Sequence, residues 1–269
     1  MRAQRKALLS DHPLFFAHRG GSLLAPENTF VAFDRGAALG ADALELDIHA
    51  TRDGVLVVIH DPTLDRTTDG AGPVDARTLD ELRRLDAGYR FTTDGGATYP
   101  YRGQGITIPT LREVYERYPT HRVNIDIKGG AVGQEALLWE LIQAVGAQDR
   151  TIIGSSDDPA ALAAFRRVSA GRVATSASAV EVRNFLFTYW SRATRLLRPA
   201  YDALQVPEVH RGIRVVSRGS VAAAHRIGLP VHVWTVDDRA DMQRLLDWGV
   251  DGLMSDRPDT LADVLAARR

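Results

Sequence analysis

Short apolar runs recur along this chain, and between them lie stretches whose apolar residues return every three or four positions. The runs at 14–17, 43–48, 55–59, 123–127, 151–153, 172–175, 203–206, 231–235 and 252–254 read as strands. The stretches at 29–39, 111–118, 133–145, 159–168, 217–227 and 238–248 read as helices. Strand alternating with helix predicts parallel pairing through βαβ units.

One strand breaks the alternation. Between Ile48 and Val55 there is no room for a crossover helix, and Asp53-Gly54 is a hairpin signal. The run at 55–59 is therefore expected to lie antiparallel to its predecessor. The other eight make an α/β fold, a (β/α)8 barrel with one hairpin strand added after strand 2. A two-residue turn would pair Arg52 with Val55, which puts His49 opposite Val58 and Asp47 opposite His60.

Residues 61–108 interrupt the pattern again. They are rich in glycine and proline, with one short helix expected near 78–85. They read as an insertion folded over one rim of the barrel. The length, 269 residues, suits one such barrel, so 1–269 is read as a single domain.

Composition narrows the function. Net charge is −1, which gives no electrostatic reason for a nucleic-acid partner. No cysteine is present, so disulfides and thiolate chemistry are excluded. Met1 to Asp11 lacks the apolar run of a signal peptide, and no window reaches the ~18 apolar residues of a membrane span. A cytoplasmic location is the expectation. Of 33 basic residues only Lys6 and Lys128 are lysine. A lysine kept at a strand end suggests a need for a compact ammonium where arginine is otherwise the rule.

In such barrels the chemistry sits at the C-terminal strand ends. Those ends carry His18-Arg19-Gly20-Gly21, then Glu45 and Asp47 on one face, His60-Asp61, Asp126 and Lys128 on one face, and Trp234. Each alone has a packing explanation, and Asp126 with Lys128 could be a structural ion pair. Their convergence on one rim points to a site.

These residues resemble the glycerophosphodiester phosphodiesterase family. The likeness rests on His18-Arg19-Gly20, Pro26-Glu27-Asn28-Thr29, Glu45-Leu46-Asp47, His60-Asp61 and Leu64-Asp65-Arg66-Thr67-Thr68. Asn124-Ile125-Asp126-Ile127-Lys128, Trp234-Thr235-Val236 and Asp251-Gly252 continue it in the family's order. The resemblance implies a TIM-type barrel and hydrolysis of glycerophosphodiesters to glycerol 3-phosphate and an alcohol. It implies one divalent cation, Ca2+ or Mg2+, on Glu45, Asp47 and Asp126. It makes His18 and His60 the acid–base pair, with Arg19 and Lys128 on the phosphate. The third metal position is often Glu in that family and is Asp126 here, which leaves the choice of ion open.

The chemistry agrees with that assignment. Carboxylates suit a hard cation, a guanidinium grips two phosphate oxygens, and paired imidazoles titrate near neutrality. Asn28 is expected to orient a reacting group, Glu27 to support from behind, and Trp234 to wall the glycerol carbons or simply fill the barrel.

The partner is then a small-molecule glycerophosphodiester, and the oligomeric state is not encoded legibly. An alternative keeps the barrel and changes the substrate to lysophospholipids or sphingolipids, in the manner of a phospholipase D. The stretch around Phe185, Leu186, Phe187, Tyr189 and Trp190, beside Arg192, Arg195 and Arg198, would then contact lipid. A helix packed on the barrel with its arginines in water is the plainer reading of the same residues. A binding module that had lost catalysis would lack a histidine or a carboxylate of the set, and this chain keeps them all.

Overall fold

The computed structural model describes residues 6–8, 10–128, 133–155 and 158–268; residues 1–5 of the N-terminal segment lie outside the described residues. The chain runs through β1 (Leu14–Ala17), α1 (Phe30–Ala38), β2 (Ala43–Ala50), β3 (Leu56–Val58), α2 (Leu79–Leu82), α3 (Leu111–Arg117) and β4 (Arg122–Ile127). It continues through α4 (Gln134–Ala144), β5 (Thr151–Gly154), α5 (Pro159–Val168), β6 (Ala174–Thr175), α6 (Ala179–Trp190) and β7 (Leu204–Val206). Then come β8 (Val209–His210), β9 (Ile213–Arg214), α7 (Arg218–His225), β10 (Val231–Val233), α8 (Arg239–Asp247), β11 (Gly252–Ser255) and α9 (Pro258–Ala266).

Eight of these strands pair in parallel in the order β6-β5-β4-β2-β1-β11-β10-β7. A parallel bridge between Ser176 and Ala203 joins the two ends and closes the ring. β3 hangs antiparallel on β2, as the hairpin signal implied. Among the described residues, no helix is long and apolar enough to cross a membrane.

The pleat decides where chemistry can sit. Every position of β2 is buried. Its Leu44, Leu46 and Ile48 join the large core between strands and helices, with Phe15, Ala17, Ile125 and Ile127. The alternate positions point into the barrel. There the floor is apolar, built from Leu14, Phe16, Ala43, Ile152, Ala174 and Met254. Further along the same inward rows stand His18, Glu45, Asp47 and Asp126. The barrel is thus filled by hydrocarbon below and by charge at the mouth.

Two expectations need correction. The hairpin pairs Ile48 with Val58, His49 with Val57 and Ala50 with Leu56, one residue off the anticipated register. The loop holds three residues, not two. Gly54 adopts φ 78° and donates its N–H to Thr51 O, while Thr51 N–H donates to Val55 O. The Asp53 carboxylate accepts from the Thr51 hydroxyl and from Leu79 N–H, so it serves α2 rather than a tight two-residue turn. Asp47 consequently faces Ile59, whose N–H it accepts at 3.0 Å, and not His60. The second correction is an omission. The hairpin β8–β9 and helix α9 complete the element list, and the helix read around Phe185 takes its bounds as α6, Ala179–Trp190.

Residues 61–108 gather a small core of their own: Leu64, Val74, Leu82, Ala87, Ile106 and Ile108 pack with Val57 and Ile59 of the hairpin arm. The expected short helix is α2, opened by a capping box between Thr78 and Glu81.

The turn after β1 depends on glycine. Arg19, Gly20 and Gly21 all have positive φ. A Cβ on Gly20 would stand 2.7 Å from the backbone and Cβ of Ala32 in α1. Gly20→Ala combines left-handed strain with overpacking and is expected to cost about 2–4 kcal/mol, read as a lower urea midpoint. An unchanged midpoint would show that α1 yields freely at this contact.

Candidate active site

The mouth is organised around two histidines, each held by a carboxylate. His18 Nδ1–H donates to Asp256 Oδ1 at 2.6 Å, and its Nε2 stands 3.8 Å from Glu45 Oε2. Burial works against charge on this ring, but Glu45 and Asp256 outweigh it and raise the pKa to about 9. His60 Nδ1–H donates to Asp61 Oδ1, also at 2.6 Å. Burial would raise the Asp61 carboxyl, yet Arg66 and His60 bring it down to about 2. Each ring is thus fixed through Nδ1, which leaves Nε2 for chemistry.

Between them lie the charged residues of β2 and β4. Asp47 and Asp126 are register partners on these neighbouring strands. Lys128 Nζ bridges them, 2.7 Å from Asp126 Oδ2 and 3.1 Å from Asp47 Oδ1. Asn28 donates its amide to Asp47 Oδ2 at 2.9 Å, and Arg19 Nε stands 3.3 Å from the same oxygen. Burial opposes ionisation of Asp47, but Lys128 and Arg19 hold its pKa below the usual range. Glu45 is the opposite case. Burial pushes it upward, His18 pulls it down and Asp47 adds to the push, and the net shift is upward to about 7. Its Oε2 accepts the Arg19 backbone N–H at 3.0 Å.

Glu27, Asn28 and Thr29 each have a separate job. Glu27 accepts from Arg19 Nη1 at 3.1 Å, Asn28 with φ 57° reaches Asp47, and Thr29 caps α1. Glu27 stands beside Arg19. It is also gripped by Arg66 through two bonds of 2.7 and 2.8 Å. The other side of the same guanidinium grips Asp61 at 2.6 and 3.1 Å. Arg66 therefore ties the Arg19 support to the His60 support. Trp234 follows β10 and packs, half-buried, against the apolar floor.

The sequence reading overlooked Arg66, Asp61 and Asp256 as working parts. Arg66 and Asp61 sit inside the motif runs, but their partners, Glu27 and His60, are fixed only by the folded rim. Asp256 stands one residue beyond β11, and continuing the strand-end reading past Met254 would have reached it. Beneath the charged layer, Gln205 donates to Asn124 Oδ1 at 2.7 Å and lies 3.3 Å from His232 Nδ1. His232 is fully buried, and burial pushes its pKa down to about 4, so this ring is neutral packing.

Among the described residues, no three carboxylates or histidines are grouped around one point as they stand, because Lys128 lies between Asp47 and Asp126. The donor chemistry nevertheless fits a hard cation. Glu45, Asp47 and Asp126 present carboxylate oxygens from adjacent strands, and burial raises the Glu45 carboxyl, so a cation there would favour its charged form.

A parallel barrel whose mouth gathers carboxylates, cationic side chains and two oriented imidazoles has the make-up of an enzyme site for an anionic substrate. The Glycerophosphoryl diester phosphodiesterase family model matches residues 18–260. A glycerophosphodiester phosphodiesterase of Caldanaerobacter subterraneus is 37% identical, with 94% of this chain and 97% of that protein covered. A probable glycerophosphodiester phosphodiesterase 2 of Mycobacterium tuberculosis is 35% identical, over 94% and 90%. Among solved structures, a glycerophosphoryl diester phosphodiesterase domain from Mycobacterium tuberculosis superposes with TM-score 0.83 at 26% identity, covering 96% of this chain and 100% of that one. An Oleispira antarctica phosphodiesterase in complex with the product sn-glycerol-3-phosphate gives 0.71 at 26% identity, over 95% and 97%. The chain belongs to the glycerophosphodiester phosphodiesterase family.

Proposed function

We propose that this enzyme hydrolyses glycerophosphodiesters to glycerol 3-phosphate and an alcohol, with His18 and His60 exchanging the protons. The observation that carries the reading is the pair of imidazoles, each anchored through Nδ1 by its own carboxylate, on either side of a carboxylate–ammonium cluster. The phosphodiester anion is met by the Arg19 guanidinium and the Lys128 ammonium. An attacking hydroxyl, water's or the neighbouring glycerol hydroxyl in a route through a cyclic phosphate, gives its proton to one imidazole Nε2. The phosphorus–oxygen bond to the leaving alcohol breaks, and that oxygen takes a proton from the other imidazole. Asn28 orients the reacting groups through its bond to Asp47, and Trp234 lines the glycerol side.

Glu45, Asp47 and Asp126 would hold a divalent cation, Ca2+ or Mg2+. When bound, such an ion offsets the negative charge of the phosphate and of the developing alkoxide. Lysophospholipids remain the alternative substrate. The product identity separates the two readings: phosphorus NMR on glycerophosphocholine should show glycerol 3-phosphate. Release of glycerol and phosphocholine, or turnover of lysophosphatidylcholine alone, would contradict the reading.

We further propose that the whole chain works as one barrel and that residues 61–108 shape the entrance for the alcohol half. Replacing this segment with a short linker would then change the preference among head groups more than it unfolds the barrel; loss of the folded barrel would make the segment structural.

Arg66 is a positioning residue in this scheme. Arg66→Met keeps the bulk and removes four bonds to Glu27 and Asp61. It is expected to lower kcat by about 10-fold or more while KM moves less. It should also displace the pH-profile limb that belongs to His60, with Arg66→Lys restoring part of both. A variant that only melts earlier, with wild-type kcat and pH profile below its Tm, would reduce Arg66 to a structural clamp.

A further inference from the structure

Helix α6 buries one side and leaves the other in solvent. Phe185 and Leu186 pack into the core, and Tyr189 packs against it. Phe187 is 68% exposed, Trp190 58% and, beyond the helix, Leu196 77%. Val180 lies on the same helical face, at spacings of seven and ten residues from Phe187 and Trp190. The plain packed-helix reading accounts for the inner side and not for three large apolar side chains standing in water.

The stretch of chain that carries them is positive. Residues 182–201 contain Arg183, Arg192, Arg195 and Arg198 and no Asp or Glu. All four are exposed. Arg198 bonds only the Arg195 and Leu197 carbonyls, and none of the four is ion-paired to an acid among the described residues. Of the acids that flank this stretch, Glu181 is held by Arg166 at 2.8 Å and Asp202 accepts the Thr175 N–H at 3.0 Å. On a chain whose net charge is −1, this is a local concentration of cation around an apolar centre.

We propose that this face, Phe187, Trp190 and Leu196 ringed by Arg183, Arg192, Arg195 and Arg198, docks on an anionic lipid surface. Aromatic and aliphatic side chains enter the headgroup boundary while the guanidinium groups meet lipid phosphates. A second copy of the chain is a poor occupant, because two-fold pairing of this face sets eight arginines against one another. A nucleic acid would satisfy the charge and leave the protruding apolar side chains without a partner. The fold also fixes the geometry. α6 starts beyond the C-terminal end of β6, at the rim that bears the site, and returns the chain to the start of β7. Trp190 and the arginines after it therefore lie toward the far end of the barrel. Docking there leaves the mouth open to water, which suits a soluble diester and separates anchoring from catalysis.

The test is co-sedimentation of the full chain with vesicles of phosphatidylcholine containing about one-third phosphatidylglycerol, against phosphatidylcholine alone. Binding is expected on the anionic vesicles only, and it should fall steeply with added salt. Phe187→Ser/Trp190→Ser and, separately, Arg192→Glu/Arg195→Glu should each weaken partitioning by roughly tenfold or more. Both variants should keep wild-type turnover of a soluble diester, which also certifies their folding. Absence of vesicle binding, or binding that both variants retain, would overturn the proposal. So would a solution dimer that the Phe187→Ser/Trp190→Ser variant dissolves, which would assign the face to a second copy.

Discussion

Replacing either His18 or His60 by alanine is expected to lower kcat by roughly 10²–10⁴-fold, with a smaller change in KM, because one positioned acid or base is worth about that much. The wild-type pH profile should be bell-shaped, and each variant should lose one limb. The supporting carboxylates give a finer check. In metal-free protein, burial disfavours the His18 imidazolium, but Glu45 and Asp256 raise its pKa from 6.5 to about 9. The sign follows: a raised histidine pKa stabilises the fold fully below pH 6.5, and the contribution is lost as pH climbs through about 9. NMR titration of the His18 ring should therefore report a value well above that of a free imidazole. Asp256→Asn and Glu45→Gln should each lower it. A His18 that titrates near 6.5 in all three proteins would remove Asp256 from the scheme.

The other large effect concerns the cation. Exhaustive chelation is expected to abolish turnover, and Ca2+ or Mg2+ to restore it. Asp126→Ala and Glu45→Gln should each raise the metal concentration needed for half-activity, since a hard-cation site then loses an oxygen ligand or its charge. The structure adds a readout independent of activity. A cation on Glu45 competes with the coulombic support that holds His18 charged, so metal binding should lower the His18 pKa. Undiminished turnover after chelation, or a His18 titration indifferent to added metal, would contradict the placement of the ion.

Much of this was legible in the sequence because the barrel enforces simple periods. The inward alternation of β2 placed Glu45 and Asp47 on one face, and the same alternation on β4 placed Asp126 with Lys128. The eight parallel strands followed from apolar runs alternating with helical stretches, with ends shifted by a residue or two. Turn chemistry was the weak link. Asp53-Gly54 marked the hairpin correctly, but the Asp53 carboxylate is spent on Thr51 and Leu79, and the third loop residue moved the register by one. His60 still reaches the site because the chain leaves the ladder after Val58, a path no pairing rule encodes. Asp256 lay one residue past the strand end where the reading stopped, and its partner His18 is 238 residues away. Arg66 holds Asp61 five residues away and Glu27 39 residues away, and only the fold brings the two carboxylates to one guanidinium. The stretch around Phe185 was read as a helix packed on the barrel, but without bounds, because its apolar residues face both the core and the solvent and blur the periodic signal.

The most direct test of acid–base catalysis by the two histidines compares two leaving groups. Kcat is measured for wild type, His18→Ala and His60→Ala on glycerophosphocholine and on the p-nitrophenyl ester of glycerol 3-phosphate. Nitrophenolate departs without a proton, so it should rescue the variant that lacks the acid and leave the variant that lacks the base impaired on both substrates. Near wild-type kcat in either variant on glycerophosphocholine, or equal rescue of both by nitrophenolate, would contradict the two-histidine account.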